Sequence, residues 1–378
     1  MALSNLAHRA LERAGLGPIR DRVLAGERLS EADALRLLEA NDLAALGALA
    51  NHVREARHGD LTFYNRNAHL NFTNVCVASC KFCSFARPDD RSASEGYTMS
   101  VAEAVENVLA KRPLGITEVH IVNGLHPDLP WETYLEIPRR IHAAWPELAI
   151  KAYTAVEIHF FAEKFGKSYE QVLRELQGAG VVTLPGGGAE IFASRVRRKI
   201  CDDKATAEQW LEVHRVAHRL GMKTNATMLY GTIERLDERV DHMARLRSLQ
   251  DETRGFQVFI PLAFHPEHNM MGKAFPKPTG FDGLRTYAVA RLFLDNFDHV
   301  KAYWIMLGER LAQSALSFGV DDLDGTVLEE RIYHMAGAQT PQALAESQLH
   351  RLIRTAGRVP AERDSVYHVL RVHERTAA

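Results

Sequence analysis

Three of the chain's four cysteines stand within eight residues, at Cys76, Cys80 and Cys83 of NFTNVCVASCKFCSFAR (71–87). The spacing is C-x3-C-x2-C. Three thiolates can hold three irons of a four-iron cubane, which leaves the fourth iron without a protein ligand. An open iron lets a small molecule bind the metal directly, and the amino and carboxylate groups of a methionine moiety suit that place. Reduction could then break the adjacent sulfonium bond to give methionine and a 5′-deoxyadenosyl radical, with the protein orienting and shielding the reactive group. A structural zinc site is the alternative, but such sites pair two separated knuckles, and no second knuckle exists here. The other alternative is a buried trio of cysteines with no metal. Cys201 is distant in sequence and reads as a small apolar residue near a helix end.

Chemistry of this kind needs a rigid, shielded pocket. From about residue 61 the chain alternates amphipathic segments with short runs rich in Val, Ile, Thr and aromatics. The runs are HLNFTNVC (69–76), EVHIVNG (118–124), IKAYTAVE (150–157), VVTLPGG (181–187), KTNATMLYG (223–231), GFQVFIPLAF (255–264), VKAYWIML (300–307) and VDDLDGTV (320–327). They read as strands. Between them, Ser100 with Glu103, Ser168 with Gln171, and Thr206 with Gln209 form capping boxes, and Gly221 suits a left-handed helix end. Eight such units predict an α/β fold, a (β/α)8 barrel of the TIM type over residues 61–330, with helices outside the strands. Residues 1–60 read as an N-terminal helical extension, with Ser30 and Asp33 as a capping box, and 331–378 as a C-terminal helical extension packed on the barrel.

Lys and Arg number 46 and Asp and Glu 48, with no long basic run, so the electrostatic footprint of a nucleic-acid binder is missing. No apolar stretch reaches the roughly 18–20 residues of a membrane span. MALSNLAHRALERAG lacks the apolar centre of a signal peptide, so a cytoplasmic location and no membrane partner are expected.

The cysteine segment resembles that of the radical S-adenosylmethionine (SAM) superfamily, C-x3-C-x-aromatic-C. Cys76, Cys80 and Cys83 match its cluster ligands, and Phe82 matches the aromatic position near the adenine of SAM. HIVNGLHPDLPW, YTAVEIHFF, PGGGAEIF, TNATMLYGTIE, RLRSLQDETRGFQVFIPLAFHP and DDLDGTVLEE carry the likeness from about residue 30 to about 370. Together they resemble the aminodeoxyfutalosine synthase family of the futalosine route to menaquinone. Cyclic dehypoxanthine futalosine synthases and the deazaflavin (FO) synthase subunits are the alternative, since they share the cysteine segment and the Gly-Gly-Gly-Ala-Glu element. The resemblance implies a [4Fe–4S] cluster, SAM consumed as a co-substrate, and reduced flavodoxin or ferredoxin as electron donor. It implies addition of the deoxyadenosyl radical to the enol ether of 3-[(1-carboxyvinyl)oxy]benzoate, rearrangement, and loss of bicarbonate to give 6-amino-6-deoxyfutalosine. It also implies that Asn123-Gly124, at the end of the second strand, contacts the SAM amino group. A plain strand-ending turn is the other reading of that dipeptide.

A substrate with two carboxylates and an aromatic ring calls for donors and an apolar wall. Barrel chemistry sits at the C-terminal ends of the strands. His126, His159 and His265 are the candidate substrate-binding side chains there, with Tyr153 and Tyr230 as walls, Tyr230 on the cofactor side. Gly187, within glycines 186–188, would let the backbone approach a ligand closely. Glu157 and Glu190 are the candidate catalytic carboxylates, able to bind a ribose hydroxyl or an ammonium or to relay a proton. A surface residue or a helix N-terminal anion is the competing reading for each. The run Arg195, Arg197, Arg198, Lys199 is expected to be a solvated helix face. His214 and His218 have the spacing of a metal pair but no third ligand nearby, so they are expected to be exposed or salt-bridged. The glycines 186–188 lack the order of a dinucleotide fingerprint.

Overall fold

The computed structural model describes residues 3–89 and 95–374, so the outermost residues of both expected extensions, 1–2 and 375–378, lie outside it. The chain opens with helices Asn5–Arg13, Gly17–Leu24, Glu31–Glu39 and Leu43–His58. Ala34, Leu37 and Leu38 on the third helix and Leu46, Leu49 and Ala50 on the fourth, each set at helical spacing, are fully buried. The capping box expected at Ser30 and Asp33 forms, as do those at Ser100, Ser168 and Thr206.

Eleven strands follow among the described residues. They are β1 (Leu61–Asn65), β2 (Asn67–Leu70), β3 (Glu118–Ile121), β4 (Ala149–Ala152), β5 (Val181–Leu184), β6 (Lys223–Tyr230), β7 (Phe256–Ala263), β8 (His299–Val300), β9 (Asp322–Gly325), β10 (Val359–Arg363) and β11 (Val369–Val372). Strands β2 to β8 lie in sequence order in one parallel sheet, each after β2 reached through an outer helix. The eighth place in the ring falls to β9 and the turn after it. Asp322 bridges Lys301 next to β8, and Leu328 bridges Ala68 on β2.

By its other edge β9 belongs to a second sheet of order β11-β10-β1-β9. The C-terminal stretch, expected to be helical, therefore holds, among the described residues, the short helix Ile332–Met335, the helix Glu346–Thr355 and two strands. β10 pairs in parallel with β1 from Leu61–Val359 to Tyr64–Glu362, which satisfies backbone groups along that edge.

Three expected strands end five or more residues early. The chain leaves the sheet after Leu70, where side-chain amides replace ladder bonds: Asn71 Nδ2 donates to Val122 O at 2.5 Å and Asn74 Nδ2 to Glu95 O at 2.9 Å. β4 stops at Ala152 because Thr154 caps the helix Ala155–Phe165, with Glu157 closing the capping box. β8 keeps two residues before the helical turn Trp304–Leu307.

The N-terminal mouth of the barrel is plugged by paired charges. Lys151 lies 2.7 Å from Glu118, Lys301 2.9 Å from Asp324, and Arg363, just beyond the ring, 2.6 Å from Asp322. Ser365 Oγ donates to Glu118, and Gln257 Nε2 donates to the Ser365 carbonyl at 3.0 Å. Each charge is buried with an opposite partner, the condition under which burial is tolerated. Burial alone would raise the Glu118 carboxyl, but Lys151 beside it holds it well below the usual range.

Candidate active site

A cavity of about 300 Å³ opens at the other mouth. The sulfur-bearing residues Cys76, Cys80 and Cys83 line it together with Phe82, Asn123, Gly124, Glu157, Gly187, Glu190 and His265. The cysteine loop is stitched through its backbone to two neighbouring segments, the turn after β3 and the end of the helix Ser194–Ile200. Val77 N donates to Leu125 O (3.0 Å), Lys81 N to Ile200 O (2.9 Å) and Ser79 N to Asp203 Oδ2 (2.6 Å). Gly124 is required by this packing, because a Cβ there would sit 2.2 Å from the Val75 carbonyl oxygen.

The three cysteines are unpaired and half-buried. Burial pushes the Cys76 and Cys80 thiols up, as expected for sulfurs that need a metal to ionise comfortably. Among the described residues, the side-chain groups drawn within 4.8 Å of one another as a single ion requires are His58–His299–Asp321 and Glu346–His350–His373. Cys201 is buried at the end of the helix Ser194–Ile200 and does not line the cavity.

Glu157 is fully enclosed. Its Oε1 accepts the Asn123 N–H at 3.0 Å, and its Oε2 accepts the Thr154 N–H and hydroxyl, each at 2.8 Å. Burial outweighs these bonds and pushes the carboxyl up to about 7. The Asn123 side chain in turn accepts the Phe72 N–H at 2.7 Å, so the turn after β3 is fixed from both sides.

Glu190 has a left-handed backbone (φ 47°), which turns its carboxylate to Lys204 at 2.6 Å. The Lys204 ammonium also stands 5.5 Å over the Phe82 ring. Burial pushes this ammonium down, but Cys80, Glu190 and Cys201 together outweigh it and hold it above its ordinary value. Nothing in the spacing around Lys204 marked it. Arg197, expected on a solvated face, is instead buried and donates to the carbonyls of Ala189 (2.6 Å) and Ala205, the residues flanking Glu190 and Lys204. It ties together the two loops that carry the ion pair.

His265 lies in the wall, its Nε2 bonded to Met306 O at 2.9 Å and its Nδ1 unpartnered. Gly187 lines the cavity while its carbonyl accepts the Trp210 indole N–H at 3.1 Å. Four expected contacts lie outside the cavity wall. His126 folds its own turn, with Nδ1 accepting the N–H groups of Asp128 and Leu129. His159 is on the outer side of its helix, 2.8 Å from the Tyr169 hydroxyl. On β6, Asn225, Thr227 and Leu229 face the cavity, so alternation turns Tyr230 outward under the Arg239 guanidinium. Tyr153 is likewise outside the wall, its hydroxyl donating to Tyr134 O. His214 and His218, expected exposed or salt-bridged, are largely buried and both bond the Thr224 hydroxyl at 2.8 Å. Burial pushes His218 down to about 3.

Comparison with known proteins places this geometry. Residues 70–246 match the model of the radical SAM superfamily, and residues 253–376 match that of the CofH/MqnC C-terminal region. The chain is 50% identical to aminodeoxyfutalosine synthase of Thermus thermophilus, over 96% of this chain and 97% of that one. It is 47% identical to aminodeoxyfutalosine synthase of Streptomyces coelicolor, over 94% of each. Identity to cyclic dehypoxanthine futalosine synthase of the same Streptomyces species is 38%, over 97% of this chain and 92% of that one. A solved structure of methylornithine synthase superposes with a TM-score of 0.73 at 17% identity, covering 91% of this chain and 97% of the other, a likeness of fold.

Proposed function

The chain belongs to the radical SAM superfamily and, within it, to the aminodeoxyfutalosine synthase family, and on that premise we propose that it makes 6-amino-6-deoxyfutalosine from SAM and 3-[(1-carboxyvinyl)oxy]benzoate. The observation that carries the reading is the placement of Cys76, Cys80 and Cys83, from one stitched loop, on the wall of a single cavity large enough for small molecules. These three residues would hold a [4Fe–4S] cluster. A cluster held there would supply one electron to SAM, releasing methionine and a 5′-deoxyadenosyl radical that adds to the enol ether; rearrangement would then expel a carboxyl carbon, leaving with water as bicarbonate, and return the electron. Reduced flavodoxin or ferredoxin is the proposed source of that electron.

The chain's own part is binding and exclusion of water. The Lys204 ammonium, beside Cys80 and over Phe82, is the cation for a carboxylate of SAM, with Glu190 holding it there. Phe82 offers a ring to the adenine. Glu157 fixes Asn123 and Gly124, the turn proposed to meet the SAM amino group. With its carboxyl near 7, Glu157 can also hold or release a proton at Oε1 at ordinary pH. His265 and Gly187 are proposed to contact the aryl substrate.

The test is mass spectrometry of an anaerobic reaction containing reconstituted holoenzyme, dithionite, SAM and 3-[(1-carboxyvinyl)oxy]benzoate. A product carrying the adenosyl group is expected. Methionine and 5′-deoxyadenosine without the adduct would overturn the assignment and leave the cyclase chemistry of the sister family to be tried.

A further inference from the structure

The cavity runs down to a pair of histidines that the function above leaves unused. His69 on β2 and His120 on β3 are direct partners in the parallel register, so their side chains fall on the same, inward face. Their rings stand 4.6 Å apart and both line the cavity. His69 is 7% exposed. The Nε2 atom of each ring is shut off from solvent and has no hydrogen-bond partner. A buried polar atom without a partner is rare because it is costly, and two side by side in a cavity wall mark a place where a ligand completes the bonding.

The acids nearby are already engaged. Asp324 is held by Lys301 at 2.9 Å. Glu330 accepts the N–H groups of Tyr333 and His334, and it raises the His334 imidazole to about 8. Glu118 is paired with Lys151. Burial pushes both His69 and His120 down, so each is a neutral ring with one N–H to give. Above them the wall is apolar, with Val122, Ile260 and Leu262 facing the cavity. An apolar sleeve ending in two imidazole donors is complementary to a flat ring that carries an anion on its edge.

Resting on the reading above, we propose that His69 and His120 anchor the ring carboxylate of the aryl substrate at the strand-borne end of the cavity, away from the cysteine loop. They are binding and positioning residues, and they set specificity for an acid over its neutral analogue.

The test measures binding to the reconstituted, SAM-loaded holoenzyme with 3-hydroxybenzoate and 3-hydroxybenzamide as probes. The unmodified chain should bind the acid about tenfold or more tighter than the amide, the scale of charge-assisted hydrogen bonds. His69→Leu and His120→Leu should each lose about tenfold in acid affinity while holding the amide within about twofold. With the full substrate they should raise KM far more than they lower kcat. Equal binding of acid and amide by the unmodified chain overturns the proposal without any variant. So do variants that keep acid affinity with an unchanged cluster absorption spectrum. Absence of adenosylated product from the unmodified enzyme would instead overturn the assigned reaction, and the acid–amide ratio would still decide for or against the subsite.

Discussion

Lys204 and Glu190 give up most of their water and keep each other, which makes them sensitive to the loss of either. Lys204→Met leaves a buried, unpaired carboxylate and should cost about 3 kcal/mol, read as a fall in the denaturant midpoint of the anaerobic protein. The double variant with Glu190→Met should recover much of that loss. Glu157 gives a pH signature of definite sign. Below about pH 4.5 its carboxyl is protonated in both the folded and unfolded chain. Between there and about 7 only the unfolded chain ionises, so stability falls as pH rises, by about 3 kcal/mol in all at this one group. Subtracting the pH–stability curve of Glu157→Gln from that of the unmodified protein should expose this slope. Replacing Cys76, Cys80 and Cys83 together with Ala should abolish cluster absorption and SAM cleavage but leave the far-ultraviolet circular dichroism unchanged, since Cys76 and Cys80 pack against the edge of the barrel core and are not part of it. The cysteines were legible in the sequence because a cluster fixes its ligands' spacing within a short loop. Lys204, Arg197, His69 and His120 were not, because what distinguishes each is a neighbour far away along the chain.

At the scale of elements, the sequence was most informative where chemistry is local. The capping boxes at Ser30, Ser100, Ser168 and Thr206 all form, since each is closed by two side chains three residues apart. Strand ends were less legible. The run through Glu157 looked continuous, but Thr154 takes a cap and hands Glu157 to the helix. Strand alternation, correctly phased, would have turned Tyr230 outward, and only the register of β6 supplies that phase. The turn after β3 is the element on which the cysteine loop leans. Gly124→Ala should force it away from Val75, destabilise the chain by about 1–3 kcal/mol and lower the iron bound per chain after reconstitution, measured by metal analysis.

Over the whole molecule, two sheets share one boundary strand, and the second was the least legible part of the fold. β10 and β11 are short, and β11 is exposed, so neither carries a strong apolar pattern. Their role depends on β1, whose Leu61 pairs with Val359. Arg363 is wholly buried against Asp322, and Arg363→Met should cost about 3–5 kcal/mol, seen as a lowered Tm. The β1–β10 pairing also orders events in time. A ribosome releases β1 long before β10, and the entropy of closing so long a loop must be met before the contact returns anything. The nascent barrel therefore waits with Glu118, Asp322 and their neighbours still reached by water at its lower mouth. β10 and β11, made after every strand of the ring, act as a stopper on that lower mouth.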